Sequence, residues 1–300
     1  MTYLFVIDHF GSGGAQRQMV LLACALAERG KTVEFFVYYP QHNFYLDLLT
    51  QYDIKVHFVE KKSRFSIKPI LALVKLIKQN NYQAILSFLN TPNFYAEIAK
   101  LITFSNTPLF VSERSCYLDD KSPSLMTKCR ENFHRIANKV VCNSHYQKTQ
   151  IQKRYSWLQE SVITIINGVD TDKFSPKNMK KKPKHLLVVA RIDQGKNALN
   201  LAKALDLFKQ KHNWAPEITW VGREDQTPAS QQYIKHVRQY ITEHDLDESW
   251  HWAGECSNVS ELMSQYTALI HPSFYEGFPN AVCEALASGL PVLISNVNDN

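Results

Sequence analysis

Three hundred residues, 45% hydrophobic and 21% charged with a formal net charge of +6, suffice for two globular domains, each with its own core. No apolar run reaches the roughly 20 residues that a spanning helix needs, and no signal-peptide pattern precedes the first strand. The six cysteines (Cys24, Cys116, Cys129, Cys142, Cys256, Cys283) have neither CxxC nor metal-ligand spacing, so they read as reduced packing residues of a cytoplasmic protein.

Residues 3–8 form a short apolar strand bounded by Gly11, Gly13 and Gly14, and a helix to Gly30 and a strand over 32–38 complete a βαβ unit. A dinucleotide fingerprint needs a third glycine where Gln16 stands and an acidic end to the second strand, which here ends Val37-Tyr38-Tyr39-Pro40, so the NAD reading fails twice. Further alternation follows. Strands are expected over 54–59, 84–88, 108–112, 139–142 and 162–166. Helices are expected over 66–79, 93–104 and 122–137, with a short one after 142. Strands alternating with helices imply a parallel sheet covered on both faces, with ligands at the strand carboxyl ends. That rule selects Asn90, Asn93, Glu113, Arg114, Asn143 and Ser144.

Charge is uneven: residues 1–165 carry 20 Lys+Arg against 12 Asp+Glu, and residues 166–300 carry 14 against 16. A basic first half implies an anionic partner. The stretch 61–78 concentrates Lys61, Lys62, Arg64, Lys68, Lys75 and Lys78 among Phe65, Ile67, Leu71 and other apolar residues. Such a helix can lie on an anionic membrane leaflet; an ordinary sheet-covering helix with solvated lysines has the same pattern.

Residues 169–184, polar and cationic without apolar periodicity, read as a hinge between a first domain over 1–168 and a second over 185–300. The pattern restarts with strands over 185–190, 218–222, 250–254 and 268–270 and helices over 198–211, 229–244 and 259–265. The stretch 271–291 carries the most chemistry. Glu276, Gly277 and Phe278 lie in a loop, Pro279 takes the first helical position, a helix runs over 280–288, Gly289 ends it, and Pro291 opens another strand. Two carboxylates, Glu276 and Glu284, thus flank a helix N-terminus. Carboxylates accept hydrogen bonds from hydroxyls and helix amides hold phosphate, the layout of a nucleotide diphosphate-sugar.

The frame H-P-S-x-x-E-G-F-P-N-x-x-x-E-A-x-A-x-G-x-P-V over 271–292 resembles the signature of family 4 glycosyltransferases. The resemblance implies an α/β chain of the retaining GT-B type: two Rossmann-like, doubly wound parallel-sheet domains facing a cleft. Gly13-Gly14-x-x-Arg17 and Arg191-x-x-x-x-Lys196 are similar to further segments of the family, and Ser112-Glu113-Arg114 to an acceptor-side stretch of some bacterial members. A capped strand end with a local ion pair would explain the last equally well. The family's expected histidine near the fourth strand is replaced by Ser87-Phe88-Leu89-Asn90, and His9 in the first loop is the remaining candidate, for a catalytic or a structural role.

Carried over residue by residue, the resemblance assigns the donor to Gly13, Gly14, Arg191, Lys196, Gly222, Glu276, Gly277, Phe278, Asn280, Ala281 and Glu284. Glu276, Arg191 and Lys196 carry catalysis, and His9, Arg17, Asn90, Glu113 and Arg114 lie on the acceptor side. Cations and a helix terminus would neutralise the leaving diphosphate, so neither metal nor cofactor is implied. The implied partners are a nucleotide-sugar, most simply UDP-linked hexose or N-acetylhexosamine, a lipid-linked glycan acceptor and the inner-membrane surface, with no nucleic acid. Another GT-B enzyme such as a UDP-sugar epimerase, or a nucleotide-binding but inactive protein, would share the architecture. Family members continue past the position of Asn300, so the second domain is expected to be incomplete.

Overall fold

The computed structural model describes residues 1–63, 66–114, 124–179 and 181–297. Arg64 and Phe65 of the basic stretch, Cys116, Ser122 at the expected helix start, Lys180 of the expected hinge and residues 298–300 lie outside the described residues. The chain divides into two compact units, Met1–Asn167 and Gly168–Asn300.

In the first unit the chain runs β1 (Thr2–Ile7), α1 (Gly14–Glu28), β2 (Thr32–Val37), α2 (Leu46–Gln51), β3 (Lys55–Phe58) and α3 (Lys68–Gln79). It continues with β4 (Tyr82–Phe88), α4 (Asn90–Thr103), β5 (Leu109–Glu113), α5 (Leu125–Glu131), β6 (Lys139–Cys142), α6 (His145–Arg154) and β7 (Val162–Thr164). The strands pair in parallel in the order β3-β2-β1-β4-β5-β6-β7. Alternate residues of β1 serve different cores. Leu4 and Val6 pack with Leu73, Ile77, Ile85 and Val111, and Phe5 and Ile7 pack with Met19, Val20, Phe35 and Val37. Burial on both faces is why this strand reads as one apolar run. The order reverses between β1 and β4, so the loops after those strands border the position where such sheets bind ligands.

Helix α3 starts with Pro69 in its first turn, ends at an extended Asn80, and buries Pro69, Leu73 and Ile77. A fully buried leucine such as Leu73 stabilises by about 2 kcal/mol. The outer face leaves Ile67 and Leu71 exposed beside Lys68, Lys75 and Lys78. Three helices differ from expectation. Six residues over Leu46–Gln51 form α2, too short to show a period. Helix α4 begins at Asn90, three residues early, because Leu89 takes a left-handed φ of 79° and turns the chain directly out of β4. The helix expected over 122–137 is α5, capped by the Ser124 hydroxyl on the Thr127 amide, followed by a tight 3-10 turn over Asn132–Ile136 that carries His134 inward.

The second unit contains β8 (His185–Val189), α7 (Ala198–His212), β9 (Glu217–Val221), α8 (Pro228–Glu243), β10 (Trp250–Gly254), α9 (Val259–Gln265), β11 (Ala268–His271), α10 (Asn280–Ala287) and β12 (Val292–Ile294). Its strands are parallel in the order β10-β9-β8-β11-β12, with the reversal between β8 and β11. One face packs Val188, Trp220, Ile234 and Val237; the other packs Leu187, Met263, Leu269 and Val282. Residues expected as a hinge pack onto this unit. Phe174 is buried with Leu187 and Leu269, and the Lys182 amide donates to the Gln265 carbonyl at 2.7 Å. Cys24, Cys129, Cys142, Cys256 and Cys283 are free thiols.

Candidate active site

The two strands at the reversal in the second unit, β8 and β11, deliver the chemistry. After β8 the chain enters a turn in which the Asp193 carboxylate accepts the Lys196 amide at 3.1 Å, and Asn197 is left-handed at φ 62° before α7. After β11 the chain crosses this turn: the Asn197 side chain donates to the Pro272 carbonyl at 2.9 Å, and the Phe274 amide donates to the Gly195 carbonyl at 2.9 Å. A Cβ on Gly195 would stand 2.8 Å from the Tyr275 hydroxyl, so a side chain there would displace the Tyr275 ring from the crossing. Two loops far apart in sequence are thereby fastened, and Lys196 meets Glu276, 80 residues away.

Glu276 is buried and its Oε1 accepts two bonds, from Lys196 Nζ at 2.5 Å and from His271 Nε2 at 2.6 Å. Burial pushes the carboxyl up, but the His271 hydrogen bond and the Lys196 charge outweigh it and hold the group at about 2. An ionised carboxylate only accepts, so His271 carries its proton on Nε2. Arg191 is half exposed and also paired, with Nε and Nη2 each 2.7 Å from Asp193 Oδ2 and Nη1 3.4 Å from Asp225. Both expected diphosphate ligands therefore rest against carboxylates.

Helix α10 differs in detail. Pro279 is its cap rather than its first residue, and the Asn280 amide turns back to the Phe278 carbonyl at 3.0 Å. Gly277, Phe278, Asn280 and Ala281 are half-buried around this turn, while Glu284, one turn into the helix, is buried. Gly222 serves the backbone: its φ is 153°, a Cβ would lie 2.0 Å from the Ala190 carbonyl oxygen, and its amide donates to Gly254 O at 2.8 Å.

In the first unit, the acceptor-side candidates follow the carboxyl ends of β1, β4 and β5; Glu113 is buried, and His9, Arg17, Asn90 and Arg114 are half-buried. Asp8 accepts from the His9 amide at 2.8 Å and from Gln16 Nε2 at 3.1 Å, and His9 Nδ1 accepts the Gly11 amide at 2.8 Å. The Gln16 amide lies where a Cβ on Gly13 would be, 2.3 Å away, so the side chain that spoils the NAD fingerprint braces this loop. Gly14 is exposed and Arg17 partly buried on α1. Asn90 accepts from Arg130 at 3.3 Å. Arg114 does not pair with Glu113: it stacks on Phe88 at 3.8 Å and donates to Ser112 Oγ at 3.0 Å and to Asn167. Burial pushes its guanidinium down to about 10.

Glu113 belongs instead to an interior network that sequence reasoning missed. Asn93 donates to it at 2.9 Å, and His134 Nε2 stands 3.4 Å away, an ion-pair distance. His134 Nδ1 bonds Glu97 at 2.7 Å. Burial pushes the imidazole down, but Glu113 and Glu97 more than reverse this, to about 10. Nearby, Glu131 accepts from Tyr155 at 2.7 Å and from Arg154 at 3.2 Å. Among the described residues no three of His, Cys, Asp and Glu come together as a metal site, and no helix is long and apolar enough to cross a membrane.

The Glycosyltransferase Family 4 profile matches residues 12–173, and the profile of glycosyl transferases group 1 matches residues 169–300. The capsular polysaccharide biosynthesis glycosyltransferase CapH of Staphylococcus aureus is 24% identical over 261 residues, 85% of this chain and 70% of that protein. An Escherichia coli UDP-Gal:alpha-D-GlcNAc-diphosphoundecaprenol alpha-1,3-galactosyltransferase is 24% identical over 251 residues, covering 78% of this chain and 63% of its own length. Among solved structures, Anabaena Alr3699/HepE in complex with UDP and glucose superposes with a TM-score of 0.81 at 20% identity, over 99% of this chain and 81% of that one. With the first profile spanning more than half of its residues, and with two parallel α/β units matching GT-B structures, the chain belongs to family 4 of the glycosyltransferases.

Proposed function

We propose that this glycosyltransferase moves a hexose or N-acetylhexosamine from a nucleotide-sugar, with UDP as the nucleotide, to a lipid-linked glycan in bacterial surface-polysaccharide assembly. The observation that carries the reading is Glu276: an ionised, buried carboxylate held between Lys196 and His271 at the reversal of a parallel sheet. Glu276 binds sugar hydroxyls and orients the anomeric carbon, and Glu284 binds ribose. Arg191, Lys196 and the backbone at the start of α10 take up charge on the departing diphosphate. No metal or cofactor takes part. The sugar leaves and the acceptor arrives on the same face, with the departing phosphate taking the acceptor proton, so configuration is retained.

The names of the relatives support the acceptor class, since the Escherichia coli enzyme acts on a diphosphoundecaprenol-linked sugar. The outer face of α3, with Ile67 and Leu71 among Lys68, Lys75 and Lys78, supports peripheral binding to the anionic inner leaflet from the cytoplasmic side.

Calorimetric titration with UDP, GDP, ADP and UDP-sugars tests the donor assignment. UDP and a UDP-sugar are expected to bind, and Lys196→Ala to weaken both by about tenfold or more, the size of a lost charged hydrogen bond. Absence of binding by any UDP compound would overturn the assignment.

A further inference from the structure

Lys196 and His271 meet on one oxygen of Glu276, and they differ in what each can do when a diphosphate arrives. Lys196 is a point charge on a flexible four-carbon stem at the end of a tight turn, 22% exposed along its side chain. A diphosphate beside it draws this ammonium away from a single carboxylate. His271 cannot follow. Its ring has two torsions, it is 3% exposed, and it is the last residue of β11, where it pairs with Ile294 and its carbonyl accepts the Ser295 amide at 3.1 Å. The polar contacts of the ring lie on the Glu276 side. Nε2 donates to Glu276 and lies 3.3 Å from Ser273 Oγ, while the buried Nδ1 has no hydrogen-bond partner among the described residues. A histidine kept only for the fold would normally satisfy both nitrogens.

We propose that His271 is the positioning residue of the donor site: it holds Glu276 on the sugar hydroxyls while Lys196 transfers from Glu276 to the diphosphate. The inference rests on the reading of Glu276 as the sugar-binding carboxylate. It adds a division of labour, in which the same carboxylate has a mobile partner before the donor binds and a fixed one afterwards. The hydrogen bond from His271 then contributes to sugar recognition and not to nucleotide recognition.

Two amide substitutions separate this role from packing. Glutamine places an N–H near the position of Nε2, whereas asparagine reaches only to that of Nδ1. Binding of UDP, binding of the preferred UDP-sugar and turnover would be measured for the unaltered protein, His271→Asn and His271→Gln, with melting temperatures alongside. His271→Asn is expected to bind UDP within about twofold of the unaltered protein. It should lose about 10- to 100-fold in UDP-sugar turnover, and the UDP-sugar should lose its binding advantage over UDP. His271→Gln should recover turnover to within about threefold to fivefold. Equal loss for UDP and UDP-sugar, or equal behaviour of the two variants, would overturn the proposal. If the unaltered protein bound no UDP compound, the proposed function itself would fall, and this inference with it.

Discussion

The two units solve one electrostatic problem with opposite signs. In the first, a cation, His134, is clasped between two buried anions, Glu97 and Glu113. In the second, an anion, Glu276, is clasped between Lys196 and His271. Both clusters sit near strand carboxyl ends, yet their surroundings differ. The side chains around His134 are 0–3% exposed, whereas Lys196 is 22% exposed and reaches solvent. A cluster sealed on every side can only support the fold. One with an open, flexible member can exchange partners with an incoming ligand. Pairing and perturbed ionisation mark both, so it is the exposure of one partner that distinguishes scaffold from site.

This contrast can be broken by substitution. Glu276→Ala is expected to lower transfer from a UDP-sugar by about 1,000-fold, equivalent to about 4 kcal/mol, and also to lower the melting temperature, because the paired carboxylate's own contribution to stability goes with it. Turnover at the unaltered rate would remove Glu276 from the site. His134→Leu should act on stability alone. It leaves two buried carboxylates without their cation, costing about 3 kcal/mol or more in denaturant unfolding, while affinity for UDP changes less than about twofold. An unchanged midpoint, or a large loss of UDP affinity, would erase the distinction.

Titration sharpens it with smaller effects. His134 is raised from its ordinary value to about 10, so its contribution is fully present below about 6.5 and fades as pH rises through about 10. Glu276 is held at about 2, so its contribution is present above about 4.5 and fades as pH falls through about 2. Unfolding followed from pH 6 to 11 should therefore lose stability at the alkaline end, and His134→Leu should flatten that loss. An equally steep alkaline loss in the variant would assign it to other groups.

Much of the fold could be read from residues because buried parallel strands are short apolar runs between turn formers. The strands at 139–142 and 250–254 match their expected ends, and the motif at 271–291 places strand, loop, helix and strand in the right order. Harder to see were elements set by tertiary contacts. A six-residue α2 has no period, and the 3-10 turn after α5 exists because His134 meets carboxylates 37 and 21 positions earlier. Within the site, Glu276 and Lys196 were legible as members of spaced motifs. His271 stood in the same motif, five residues from Glu276, but its role depends on which way a strand-end ring points. Glu113 and Arg114, adjacent in sequence, suggested an ion pair, but Glu113 ends β5 and turns to Asn93 and His134, while Arg114, just past the strand, stacks on Phe88.

The order of the second sheet has a practical consequence. Strand β12 lies at its border, three residues long, with Leu293 and Ile294 exposed at 58% and 39%. Through β11 it meets the site: Ile294 pairs with His271, and the Ser295 amide donates to the His271 carbonyl at 3.1 Å. The border strand thus braces the end of β11 that leads into the Glu276 loop, on the opposite side of β11 from β8, whatever ligand occupies the site.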